Sequence, residues 1–125
     1  MTTPRKKVLL VDDSKTSIFM ERMILGGGPY EIVVATDGLE GVEKALAERP
    51  DLILMDMVMP RMTGLDAVRE LRARAETKDI PIIMVTTRGE GDNVEKGYEG
   101  GVNDYVTKPI DGVLLLAKVR DYLGT

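Results

Sequence analysis

The sequence contains neither cysteine nor histidine. That removes disulfides, thiolate and imidazole nucleophiles, Ser-His catalytic pairs and the usual zinc sites together. No apolar run is long enough to span a membrane, and residues 1–7 show no signal-peptide pattern. There is no basic stripe interleaved with aromatics, and a net charge of −4 argues against non-specific binding to nucleic acid. Carboxylates, hydroxyls, Lys, Arg and hard metal ions are what chemistry here has left. The chain has 125 residues, 43% hydrophobic and 30% charged, which suits one globular domain with a single core and no staples.

The most informative stretch is Leu52-Ile53-Leu54-Met55-Asp56, set between Pro50-Asp51 and Pro60. Four apolar residues in a row read as a short strand buried on both faces. Asp56 then stands at the C-terminal end of that strand, and in an open parallel sheet this edge is where ligands bind. Alone, Asp56 reads equally well as a residue that opens a turn. Its weight depends on what other strands deliver to the same edge.

Along the chain, Val8-Leu9-Leu10-Val11 reads as a first buried strand ending in Asp12-Asp13, and Ser14 can cap a helix through Leu25. Met20, Met23 and Ile24 fall at helical spacing on one face of it. With Met55 and Met84, these methionines are read as core filler. Gly26-Gly27-Gly28-Pro29 ends the helix. Residues 32–35 form a second strand, and Asp37-Gly38 turns into a helix through Glu48 with Val42, Ala45 and Leu46 as its apolar stripe. Thr63-Gly64-Leu65-Asp66 resembles a capping box with Asp for Glu. It opens a helix to about Ala75 that carries Leu65, Val68 and Leu71. Residues 81–85 form the fourth strand, ending in Thr86-Thr87. A poorer helix over residues 92–99 is interrupted by Gly97 and bracketed by Gly91 and Gly100. Tyr105-Val106 is a short last strand before Thr107-Lys108-Pro109, and a final helix runs from about Asp111 to Leu123 with Leu115, Val119 and Leu123 inside. The order is βα five times.

That alternation implies an α/β fold, a parallel sheet with helices on both faces and right-handed crossovers. Every strand then ends on one edge, so Asp12, Asp13, Asp56, Thr86 and Lys108 should converge there. Three carboxylates in one pocket repel unless cations compensate. Lys108 supplies one charge, and oxygen ligands without nitrogen or sulfur suit Mg²⁺. A carboxylate beside Mg²⁺ and Lys is placed to attack a phosphoryl group, with the metal and ammonium stabilising the transferring oxygens.

The set Val11-Asp12-Asp13-Ser14, Met55-Asp56-Met57-Val58-Met59-Pro60, Val85-Thr86-Thr87 and Tyr105-Val106-Thr107-Lys108-Pro109 resembles the receiver domain of bacterial two-component response regulators. It is most similar to the chemotaxis-type, single-domain members, over essentially the whole chain. The resemblance implies a flavodoxin-like doubly wound (βα)5 fold with a five-stranded parallel sheet in the order 2-1-3-4-5, which the residues themselves do not reveal. It implies that Asp56 is the phosphoacceptor, Asp13 a direct Mg²⁺ ligand, Asp12 a ligand mainly through water, and the backbone carbonyl of Val58 a third protein ligand. It makes Thr86 the switch hydroxyl, Tyr105 the aromatic that changes rotamer with it, and Lys108 the phosphoryl-contacting lysine, followed by Pro109 across a cis bond. A histidine kinase is then the donor. A target protein docks on the surface of the fourth helix, fifth strand and fifth helix, biased by the phosphate.

Further expectations are a cytoplasmic monomer, one domain over residues 1–125 with no output domain after Thr125, no nucleic-acid partner and no catalysis beyond the protein's own phosphoryl transfer and dephosphorylation. Some positions depart from the family pattern. Thr87 stands where a small residue is usual, Thr63 replaces a frequent Asp, Arg88 and Val58 flank the acceptor where the family varies, and the glycines around residues 92–99 are numerous. The alternative function is an interaction module that keeps the fold and signals without phosphorylation. A flavin-binding protein of the same architecture is disfavoured, because the strand-end loops lack a Gly/Ser/Thr phosphate cradle and the first carries two acids.

Overall fold

The computed structural model describes residues 5–57, 59, 61–87 and 100–125, with only the backbone of Thr87. The expectations for Val58, Arg88, the Thr87 side chain and the helix over residues 92–99 therefore lie outside the described residues. Five strands and four helices are described: β1 Lys6–Val11, α1 Lys15–Leu25, β2 Tyr30–Ala35, α2 Gly38–Glu48, β3 Leu52–Asp56, α3 Gly64–Arg72, β4 Ile82–Thr87, β5 Asp104–Lys108 and α4 Gly112–Leu123.

All pairings are parallel, in the order β2-β1-β3-β4-β5. This is the flavodoxin-like arrangement. Register brings the strand ends level: Val11 lies opposite Ala35 and Met55, Asp56 opposite Val85, and Thr87 opposite Lys108. Alternate strand residues go to opposite faces, which divides the core in two. Leu9, Val11, Ile53, Met55 and Met84 pack under α2 and α3 with Val42, Ala45, Val68 and Leu71. Val8, Leu10, Leu54, Ile83 and Val85 pack under α1 and α4 with Leu25, Leu115 and Val119.

Short polar residues start the helices. Ser14 Oγ accepts from Ser17 N (3.2 Å), Asp37 Oδ1 from Glu40 N (2.8 Å), Thr63 Oγ1 from Asp66 N (3.2 Å) and Asp111 Oδ1 from Val113 N (3.0 Å). Each cap satisfies a donor with no partner in its own helix and contributes about 1 kcal/mol. Thr63 does the capping work of the Asp it replaces.

Three expectations are corrected. Met20 and Met23 are not core filler: they are 39% and 68% exposed, while Met55 and Met84 are fully buried. The inward side of α1 instead carries Glu21 and Leu25, with Ile18 and Ile24 partly buried beside them. An ionisable residue holds an inward position, so the apolar residues alone misplace the buried face. The third helix stops at Arg72, short of Ala75. There the Arg72 guanidinium leaves the helix surface to donate to the carbonyls of Gly101, Thr77, Lys78 and Ile80 and to Asn103 Oδ1. The strands also run further than their apolar cores, because ladder pairing extends through Lys6, Tyr30 and Asp104.

Candidate functional site

Asp12 directly follows β1 and is 1% exposed. Its Oδ1 accepts from Ser14 N at 2.8 Å, folding the chain tightly from strand to helix and fixing the carboxylate over the sheet edge. Asp13, beside it, is exposed. Asp56 is the last residue of β3 and is 7% exposed. One carboxylate oxygen from each of the three lies within 4.8 Å of the others. Lys108 ends β5 and reaches across the sheet, its Nζ 3.3 Å from Asp12 Oδ2 and 3.5 Å from Asp56 Oδ1.

Thr86, near the end of β4, is buried, and its hydroxyl donates to Met57 Sδ at 3.8 Å. Tyr105 on β5 is half-buried against the α2/α3 side of the core. Thr86 pairs with Thr107 and Met84 with Tyr105, so Thr86 and Tyr105 project from one face of neighbouring strands, two positions apart in register. The Lys108–Pro109 peptide bond is cis.

Charge dominates this pocket. Burial, and then the Asp12 carboxylate, push the Asp56 carboxyl up to about 6 against the pull of Lys108. Burial also disfavours the Lys108 ammonium, but Asp12 and Asp56 outweigh it and raise its pKa. Three carboxylates against one ammonium leave two negative charges uncompensated when all are ionised. The donor set is carboxylate oxygen without nitrogen or sulfur, open to solvent at Asp13, and it fits a hard divalent cation that keeps some of its waters.

Sequence reasoning missed Glu21. It is 1% exposed, and its Oε2 has no hydrogen-bond partner among the described residues. Burial, then Asp12, raise its carboxyl to about 8. Its signal was available: Glu21 stands three residues after Ile18 and four before Leu25, on the side that packs inward.

A parallel sheet in this order, with three acids and a lysine meeting at its C-terminal edge, belongs to the response regulator receiver domain family, which the chain matches over residues 8–120. Among particular relatives, Protein PilH of Pseudomonas aeruginosa is 38% identical over 118 residues, which cover 94% of this chain and 98% of that protein. The crystallised chemotaxis response regulator CheY4 of Vibrio cholerae is 34% identical with a TM-score of 0.88, covering 94% of this chain and 98% of that one. The receiver domain of sensor histidine kinase PA1611 of Pseudomonas aeruginosa, solved with a magnesium ion coordinated in its active-site cleft, is 30% identical with a TM-score of 0.88. That match covers 97% of this chain and 99% of that one. The protein is thus a receiver domain of the chemotaxis type, and none of its described helices is long and apolar enough to cross a membrane.

Proposed function

We propose that this protein is a phosphorylation-driven signalling switch in which Asp56 accepts a phosphoryl group from a histidine kinase. The observation that most supports this reading is the meeting of Asp12, Asp13, Asp56 and Lys108 in one pocket. An Asp56 carboxylate oxygen attacks the phosphorus of the donor's phosphohistidine. The P–N bond breaks, its electron pair leaves with the imidazole, and an acyl phosphate forms. Asp12, Asp13, Asp56 and the backbone carbonyl of Val58 are the groups that would hold Mg²⁺, which when bound withdraws charge from the transferring oxygens. Lys108 would supply a second positive charge, and the Thr86 hydroxyl would donate to a phosphoryl oxygen. Movement of Thr86 opens room on the face it shares with Tyr105, and the Tyr105 ring follows.

The switch is read by a target protein docking on β5, α4 and the segment between β4 and β5. Val113 and Leu114, 83% and 48% exposed, supply apolar surface on α4 for this. On this reading the protein turns over only its own phosphoryl group. Intact mass after incubation with acetyl phosphate and Mg²⁺ tests the reading. The wild type should gain one phosphoryl group and Asp56→Asn none. No gain by the wild type would favour an interaction module that works without phosphorylation.

A further inference from the structure

We propose that Arg61 is a positioning residue which, through Asp37, holds the loop after Asp56 in the shape that phosphoryl transfer needs. The proposal rests on reading Asp56 as the phosphoacceptor. It starts from a residue in an unusual backbone conformation. Arg61 has a φ of +67°, in the left-handed region that L side chains rarely adopt. Glycine takes that conformation readily, so an arginine there calls for a use of its side chain.

The side chain has a partner at the start of α2. Arg61 Nε donates to Asp37 Oδ2 at 3.0 Å, and Nη2 donates to the same oxygen. Asp37 lies two residues beyond the end of β2 and is 8% exposed. Its Oδ1 accepts from Glu40 N at 2.8 Å and caps α2, so both carboxylate oxygens are engaged. Asp37 is thereby withheld from the acids that gather at the same sheet edge, which are Asp12, Asp13 and Asp56. Ion pairs between two exposed groups contribute little, but here the acid is buried and already fixed by the cap. The same helix start meets the loop a second time. A Cβ on Gly38 would come within 2.3 Å of Met62 O, so α2 begins flat against the residue that follows Arg61.

The base of this loop is the residue next to Asp56. Gly64 N donates to Met57 O at 2.9 Å and closes the loop there, while Met57 N donates to Val85 O at 3.1 Å. Met57 and Met59 are buried in the core under α2 and α3. The loop thus has a base beside Asp56 and a tip seated on Asp37 and Gly38. Breaking the ion pair frees the tip, and its motion passes through Met57 to the Asp56 carboxylate. Phosphoryl transfer needs that carboxylate aligned with the donor, and a small misplacement slows the step strongly.

Three variants test this: Arg61→Gly, Asp37→Ser and the two together. Glycine suits the left-handed backbone and serine keeps the α2 cap, so each removes the pair and spares the fold. The readouts are the phosphorylation rate with acetyl phosphate and Mg²⁺, the hydrogen-exchange rate of the Gly64 amide, and the urea midpoint. Each single variant should be phosphorylated about tenfold more slowly, the low end of what an outer-shell partner contributes to a metal site. The Gly64 amide should exchange faster in each, while the midpoint of Arg61→Gly stays near that of the wild type. The double variant should be no slower than the slower single one, because both changes remove one interaction. Arg61→Gly with the wild-type rate and exchange would overturn the proposal. So would losses that multiply in the double variant, since the two residues would then act separately, or a loss of rate that only tracks the fraction unfolded. A wild type that gains no phosphoryl group would instead sink the phosphoacceptor reading itself, and the proposal with it.

Discussion

Gly64 lies against the backbone of Asp56 so closely that a Cβ added there would come within 2.2 Å of the Asp56 carbonyl oxygen. The Gly64 N–H also donates to Met57 O at 2.9 Å. The first turn of α3 is thus seated directly on the chain that carries Asp56. The neighbour is backbone, so it cannot rotate out of the way.

Gly64→Ala should therefore act on stability and chemistry together. Overpacking costs about 1–3 kcal/mol, and relief comes from shifting either α3 or Asp56. Urea denaturation should show a lower midpoint, and phosphorylation by acetyl phosphate should slow. An alanine variant with wild-type stability and rate would mean that the contact relaxes freely.

Without metal, the protein should lose stability as pH rises from 5 to 8. Asp56 at about 6 and Glu21 at about 8 both lie above ordinary carboxyl values, so across this window the folded state holds more protons than the unfolded chain. Stability then falls with pH, by an amount on the order of 5 kcal/mol. Lys108, raised, contributes a constant amount below its unfolded value. Asp37, lowered by its cap bonds and Arg61, loses its contribution only in more acid solution. Glu21→Leu should reduce the slope across the whole window, and Asp56→Asn only in its lower half. Denaturation midpoints at pH 5, 6.5 and 8 decide it; a rising curve contradicts the assignment.

The two neighbouring aspartates should separate by experiment. Asp13 is exposed, so Asp13→Ala should leave stability within about 0.5 kcal/mol while weakening Mg²⁺ binding. Asp12 also holds Ser14 N and Lys108, so Asp12→Ala disturbs the fold as well as the site. Of the two, Asp13→Ala should lose more Mg²⁺ affinity if the proposed direct ligation by Asp13 holds. Calorimetry showing the larger loss at Asp12→Ala would reverse the roles.

Arg72→Lys tests a contact remote from the site. Lysine keeps the charge but loses the planar fork that reaches Gly101 O with Nε and Nη2 together (3.0 and 2.8 Å). The freed carbonyls are partly buried, and the expected cost is about 2 kcal/mol. Thermal unfolding measures it directly.

Much of this molecule was readable before any coordinates. The strands buried on both faces write themselves as uninterrupted apolar runs, as in residues 52–55, and two helix caps as Ser14 and Thr63. The convergence of Asp12, Asp56 and Lys108 followed from strand ends sharing an edge. Strand order did not, since no local residue records which strand lies beside which; it came from resemblance. Met20 and Met23 were misplaced because a helix face inferred from apolar residues cannot anticipate a buried Glu21. The reach of Arg72 was hidden for a related reason. Its acceptors lie on two separate segments, residues 77–80 and 101–103, and only the folded chain brings them to one guanidinium.

Those two ends of α3 together have a mechanical consequence. Gly64, at one end, bears on Asp56; Arg72, at the other, grips Ile80 and Asn103, where β4 and β5 begin. The Asn103 side chain accepts from Ile82 N as well, so the two strand starts are clamped to each other. The strands that carry Thr86 and Lys108 are thus anchored at their far ends to the same strut that braces Asp56. A change at the C-terminal edge would therefore meet β4 and β5 already held together at their opposite ends.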